Sequence, residues 1–216
     1  MVKMEEYGWK EKAEGNKITM ERRTRESKVS VSADVSPRRD FRINTGAEFL
    51  NHMIETVAWR ACINIDAQYT GTQFSLKHVI AEDTGIVLGK VFGKMAEAGL
   101  RGGINASGYC AGVMEESMAL VGISFEGRAN CFVDTGNCKG ACAENVEDIP
   151  ASDLAEFFFG FSQGAKATVN IRILSGQNPH HTWEAVFRGF GEALKSCLAK
   201  NGWRAGTTPG VKGTME

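Results

Sequence analysis

Two segments of this chain repeat a metal-ligand pattern. His78-Val79-Ile80-Ala81-Glu82 and His180-His181-Thr182-Trp183-Glu184 each set a His and a Glu four residues apart. On a helix that spacing projects both side chains from one face. An imidazole and a carboxylate on one face can clasp a divalent transition metal. The chain has 4 histidines; three lie in these segments, and the fourth is His52, in Phe49-Leu50-Asn51-His52-Met53. A lone His-x-x-x-Glu is a weak signal, because histidine more often packs or caps than ligates. Two copies, the second widened to His-His and preceded by Gly176-Gln177-Asn178-Pro179, make a metal site the stronger reading.

The surrounding pattern supplies the elements that must carry these residues. Residues 17–35 alternate, as in Lys28-Val29-Ser30-Val31, and read as a half-buried strand. Phe49, Leu50, Met53, Ile54 and Val57 predict a helix over 47–59. Ala61 to Tyr69 alternates as a strand, His78 to Ala98 is a longer helix, and Gly-rich 99–112 reads as a loop. The order then recurs. Strands lie between Glu116 and Phe132, broken at Glu126-Gly127-Arg128. A helix follows over Asp153 to Gln163, a strand over Lys166 to Leu174, and a long helix over His180 to Lys200. Ala47-Glu48-Phe49 is echoed by Ala155-Glu156-Phe157. This predicts an internal duplication of about a hundred residues. Residues 18–105 and 106–213 are its halves, forming one compact unit behind a leader, 1–17. The fold class expected is α+β, each half a sheet with two helices on one face. The leader is charged and mixed, unlike a signal peptide, and reads as a frayed end or an added first strand.

Composition narrows the function. At 43% hydrophobic residues the chain can bury a core. A formal net charge of -1 gives no reason to expect a nucleic-acid partner. No apolar run is long enough for a membrane span. The 6 cysteines contain no Cys-x-x-Cys pair. Cys131, Cys138 and Cys142 cluster loosely, but their spacing matches no standard zinc arrangement. Reduced thiols in a cytoplasmic protein are the plainer reading.

Motif by motif, the chain resembles the imidazoleglycerol-phosphate dehydratase family, the manganese lyases of histidine biosynthesis. The resemblance runs from about Ile18 to Gly213. It includes Arg22-Arg23-Thr24-Arg25-Glu26-Ser27, Thr45-Gly46-Ala47-Glu48-Phe49-Leu50-Asn51-His52-Met53 and Glu82-Asp83-Thr84-Gly85. It continues through Met114-Glu115-Glu116, Glu126-Gly127-Arg128, the segment from Gly176 to Arg188, and Lys212-Gly213. What it implies is a duplicated fold of the ribosomal protein S5 domain 2 type. It also implies a homo-oligomer, trimers that assemble with metal into a 24-subunit shell, with active sites between subunits. The implied substrate is a small molecule carrying imidazole and phosphate. The implied cofactor is a divalent metal, manganese first, with iron or zinc as the other candidates. By the same resemblance Glu26 and Glu184 handle protons, and Arg128, Arg188 and Lys212 grip phosphate.

The departures from the family pattern matter as much. The first motif has Val79 where the family has a second His. Asn170 stands where a strand His is expected, and Asn51 replaces an Asp. Ala106-Ser107-Gly108 replaces Arg-Tyr-Gly, and Gly210 replaces a Ser. Within each motif the second His turns roughly 100° from the first, so it should reach the other ion. His78 and Glu82 are therefore expected to hold one ion with His181 and, by resemblance, His52. His180 and Glu184 should hold the second, which has lost donors at Val79 and Asn170. The leading expectation is a metal-dependent carbon–oxygen lyase with one site degraded and a substrate open to change. Its alternatives are the histidine-pathway dehydratase itself and a non-catalytic metal-binding assembly protein.

Overall fold

Thr24 divides the alternating stretch near the N-terminus into two strands. Its hydroxyl accepts the N–H of Glu26 and of Ser27, each at 3.1 Å, which turns the chain back on itself. The expected single strand is thus a hairpin of β2 (Lys17–Arg23) and β3 (Ser27–Asp34). In this computed structural model, which describes residues 7–71 and 75–214, the leader adds β1 (Gly8–Glu14), antiparallel to β2. Its first six residues lie outside the described residues.

The first half continues with β4 (Arg42–Asn44), α1 (Glu48–Ala61), β5 (Asn64–Gly71) and α2 (Lys77–Gly99). The second runs β6 (Ser107–Met114), β7 (Ser117–Ser124), β8 (Asn130–Asp134), β9 (Asn145–Val146), β10 (Ile149–Pro150), α3 (Ala151–Ala165), β11 (Thr168–Ser175) and α4 (Pro179–Leu198). The first sheet has the order β1-β2-β3-β5-β4 and the second β6-β7-β11-β8. Without β1 the two orders are the same, and each ends in a parallel pair, β4 with β5 and β8 with β11. The architecture is α+β, with two halves of the same sheet topology.

The Gly-rich stretch expected as a loop to Gly112 becomes strand at Ser107. Its glycines serve close packing. A Cβ on Gly112 would stand 1.9 Å from the Ala185 carbonyl oxygen, and one on Gly108 2.5 Å from that of Ala193. Their absence lets α4 lie directly on the strand.

Helices fill the layer between the sheets. Cβ atoms on Gly85 and Gly89 of α2 would each stand 2.1 Å from a carbonyl oxygen of α3, at Phe157 and Phe161. The two backbones therefore touch, running parallel in step. Gly191 of α4 meets Val57 of α1 in the same way. Phe158 lies 4.8 Å from Phe187 and 5.0 Å from Phe190, ring to ring, so α3 fills the aromatic centre.

One buried carboxylate pins the end of the first sheet. Asp34 accepts the Ser36 N–H at 3.1 Å, the Asn64 amide at 3.0 Å and Arg39 at 3.2 Å. Burial raises its pKa, but these donors outweigh burial and hold it at about 2. A lowered folded-state pKa stabilises above the unfolded value near 3.9 and loses that contribution as pH falls. Asp34→Asn should therefore cost about 2 kcal/mol at pH 7 and flatten the pH dependence between about 4 and about 2. Urea melts of both proteins at pH 7 and across that window check this; equal slopes would remove Asp34 as the cause.

Candidate metal centre

Pro179 opens α4, where its missing N–H costs nothing, and the Asn178 side chain accepts the N–H of His181 at 3.3 Å. This cap places His180 in the first turn and Glu184 one turn on. His180 Nε2 lies 3.3 Å from Glu184 Oε2. From α1, His52 brings its Nε2 to 3.6 Å from the same oxygen. The donor atoms of His52, His180 and Glu184 all lie within 4.8 Å of one another. Ligand atoms about 2.1 Å from one metal and at right angles to each other lie about 3 Å apart. Two imidazole nitrogens and a carboxylate oxygen at this spacing fit a divalent transition metal.

Glu184 is buried, at 5% exposure. Burial pushes its pKa up, but the Arg188 guanidinium, with His52 and His180 beside it, outweighs burial and leaves it below the ordinary value. Arg188 gives Nε at 2.9 Å and Nη2 at 2.6 Å to Oε1, and Nη1 at 3.0 Å to the Val113 carbonyl. Two of its five N–H donors thus orient Glu184 and a third holds β6, leaving two for the phosphate contact that the resemblance implies.

The other motif is looser within one chain. His78 Nε2 stands 3.8 Å from Glu82 Oε2, and His78 Nδ1 stands 3.5 Å from Asp153 Oδ1. His181 turns instead to Glu116, with Nδ1 2.9 Å from Oε2. Glu115, Glu116 and His181 form a second cluster of donors. A single chain thus groups His52 with His180 and Glu184, apart from His78 and Glu82. Val79 is half-buried, and Asn170 is exposed. Val121, paired with Ile171, touches α4 at Gly189, whereas Asn170 alternates to the opposite face of the sheet.

Glu26 sits exposed at the tip of the β2–β3 turn. That turn is anchored to α2, since the hydroxyl of the next residue, Ser27, donates to Asp83, as does Arg22. Arg128 and Lys212 are exposed. The tail that carries Lys212 passes Glu126, whose Oε2 lies 3.5 Å from where a Cβ on Gly210 would be. Ala106 is buried with φ 58°.

Two site residues escaped sequence reasoning. Glu147 places Oε1 3.0 Å from His180 Nδ1. Its neighbour Asp148 accepts the N–H of Glu48 at 2.9 Å and of Phe49 at 3.0 Å, and takes Lys77 Nζ at 2.8 Å. It thereby caps α1, which bears His52, and ties it to the start of α2. Burial pushes the Asp148 pKa up, but Lys77 and the two N–H groups outweigh that and lower it. A cap lying 100 residues along the chain from its helix leaves no local signal. Cys131, Cys138 and Cys142 are free thiols and belong to no ligand cluster among the described residues.

The family model for imidazoleglycerol-phosphate dehydratase matches residues 45–194. The imidazoleglycerol-phosphate dehydratase of Methylococcus capsulatus is 31% identical over 196 residues, spanning 91% of this chain and 96% of that protein. That of Koribacter versatilis is 32% identical over 199 residues, spanning 92% and 99%. Among solved structures, IGPD from Pyrococcus furiosus superposes with a TM-score of 0.73 at 28% identity, covering 90% of this chain and 99% of that one.

Proposed function

The chain belongs to the imidazoleglycerol-phosphate dehydratase family, and from that membership we propose a divalent-metal-dependent hydro-lyase. Its substrate is an imidazole-bearing phosphate ester of the imidazoleglycerol phosphate kind, and its setting is histidine biosynthesis in the cytoplasm. The convergence of His52, His180 and Glu184 on one point carries the reading. Mixed imidazole and carboxylate donors suit manganese first, with iron and zinc as alternatives.

The bound metal supplies Lewis-acid stabilisation of charge on the substrate as a carbon-bound proton leaves. Glu184 is committed on both oxygens, to Arg188 and to the two histidines, so it serves as ligand. Proton transfer is assigned to Glu26, an exposed carboxylate at the tip of the Thr24 turn.

The lost donors are shared between two sets. His52 joins His180 and Glu184, leaving Val79 as the gap in that set. His78, Glu82 and His181 form the other, with Asn170 as its gap. Each set keeps three donors and is completed between copies of the chain. The outer face of the second sheet, with exposed Tyr109, Leu120 and Phe132, gives another copy an apolar surface to cover. The resemblance gives such an assembly as trimers and a 24-subunit shell built from them.

Phosphate falls to Arg128, Arg188 and Lys212, without the Arg and Ser that the family has where Ala106 and Gly210 stand here. Losing one charge-assisted contact weakens binding about tenfold or more. Manganese-loaded protein should convert imidazoleglycerol phosphate to imidazole-acetol phosphate with a KM at least about tenfold above that of the Methylococcus relative. Chelator-treated protein should be inactive. Equal turnover with and without metal would overturn the metal-dependent reading, and no turnover when loaded would overturn the substrate.

A further inference from the structure

We propose that Glu116 is a positioning residue for His181. It fixes the imidazole as the Nδ1–H tautomer, so that Nε2 is left free to bind metal. The metal is that of the proposed function, on which this inference rests.

A neutral imidazole has one proton for two nitrogens, and the partner of one nitrogen decides which carries it. His181 Nδ1 lies 2.9 Å from Glu116 Oε2. His180 Nδ1 lies 3.0 Å from Glu147 Oε1. An ionised carboxylate only accepts, so each Nδ1 must donate. His180 differs, because its Nε2 also faces a carboxylate, Glu184 Oε2 at 3.3 Å, so Glu147 alone does not set its tautomer. Neighbouring histidines on one helix are thus each met at Nδ1 by a carboxylate from a separate loop.

Both carboxylates come from two-residue hairpin turns, Glu115–Glu116 between β6 and β7 and Glu147–Asp148 between β9 and β10. Such turns leave little freedom at the tip. Glu116 is anchored further on its other oxygen. Oε1 accepts the N–H of Asn178 at 3.0 Å and of Gln177 at 3.3 Å, and the Ser117 hydroxyl at 3.1 Å. With both oxygens occupied by protein donors, Glu116 acts on His181 and is not itself spare for a metal. The backbone N–H of Asn178 is the first cause of its pKa of about 2, with His181 adding to it.

Glu116→Gln separates positioning from mere support. Its single carbonyl oxygen would stay with the Asn178 and Gln177 N–H groups, keeping the turn and the helix start. Its NH2 would then face His181 and force Nδ1 to accept, which puts the proton on Nε2. Two readouts apply to the full chain. On metal-free protein above pH 8, nitrogen-15 NMR should show His181 as Nδ1–H in the wild type and Nε2–H in the variant. In a chelator competition, Mn2+ affinity of the variant should fall about 10- to 100-fold with an unchanged melting curve. If the variant folds poorly, the wild type alone decides, because an Nε2–H His181 there overturns the proposal. An unchanged tautomer, or unchanged Mn2+ affinity, overturns the proposal. A wild type that takes up no Mn2+ defeats the metal-dependent reading, while the tautomer on metal-free protein still tests the role of Glu116.

Discussion

Glu184→Gln should lower kcat/KM by about a thousandfold, equivalent to about 4 kcal/mol of transition-state stabilisation. The substitution keeps the size of the side chain and an acceptor for Arg188, so folding should survive. It removes the anionic oxygen that His52 and His180 face at 3.6 and 3.3 Å. Metal bound per subunit should fall together with activity. Glu184→Ala should be worse, because it also strands Arg188 in a half-buried setting. Steady-state kinetics and elemental analysis on the same preparation decide the matter. Normal rates with normal metal content in the Gln variant would show that the cluster is not the centre of catalysis.

Gly89→Ala should destabilise the fold by about 3 kcal/mol or more. Helix propensity alone argues the reverse, since Ala gains about 1 kcal/mol over Gly inside a helix. Contact wins because the new Cβ would sit 2.1 Å from the Phe161 carbonyl oxygen and 2.8 Å from its carbon. Both belong to backbone, so neither can swing aside. The remedy is to part α2 from α3, which loosens the aromatic core that α3 carries. Gly122→Ala is the control, with nothing within 4 Å of its added Cβ, and should cost little. Thermal melts of the pair check the contrast. A more stable Gly89→Ala would mean that the helices can separate at little cost.

Much of this was legible in the sequence. The helices carrying His52, His78 and His180 were readable because apolar residues recur every three or four positions on a buried face. The duplication was readable from repeated order, and the sheets carry it as repeated topology. The N-terminal hairpin was misread as one strand because Thr24 makes its turn through a side chain, without Gly or Pro. Residues 107–112 were misread because glycine signals loops and close packing alike. The partner of His52 was out of reach, since packing of α1 on α4 sets it. So was the ion pair of Arg188 with Glu184, four residues on along the helix, which stands beside the phosphate role that the resemblance implies. Glu147 and Asp148 lie in no motif, and only the folded chain brings Glu147 to His180 and Asp148 to the start of α1.

Among the described residues, α1 to α4 run the same way, so their N-termini gather at one end. Asp148 already binds those of α1 and α2 together, and His180 and Glu147 join that of α4. Each N-terminus carries the equivalent of about half a positive charge. In an up-and-down bundle these ends would alternate and largely cancel; here they add. The histidine clusters stand in the combined field, which repels a bare cation and welcomes an anion. Glu48 and Asp153 in first turns, with Glu147, Asp148 and Glu184, reverse that sign locally. The acidic residues at this end therefore act as a counterweight that lets a divalent ion settle where helix dipoles alone would favour phosphate.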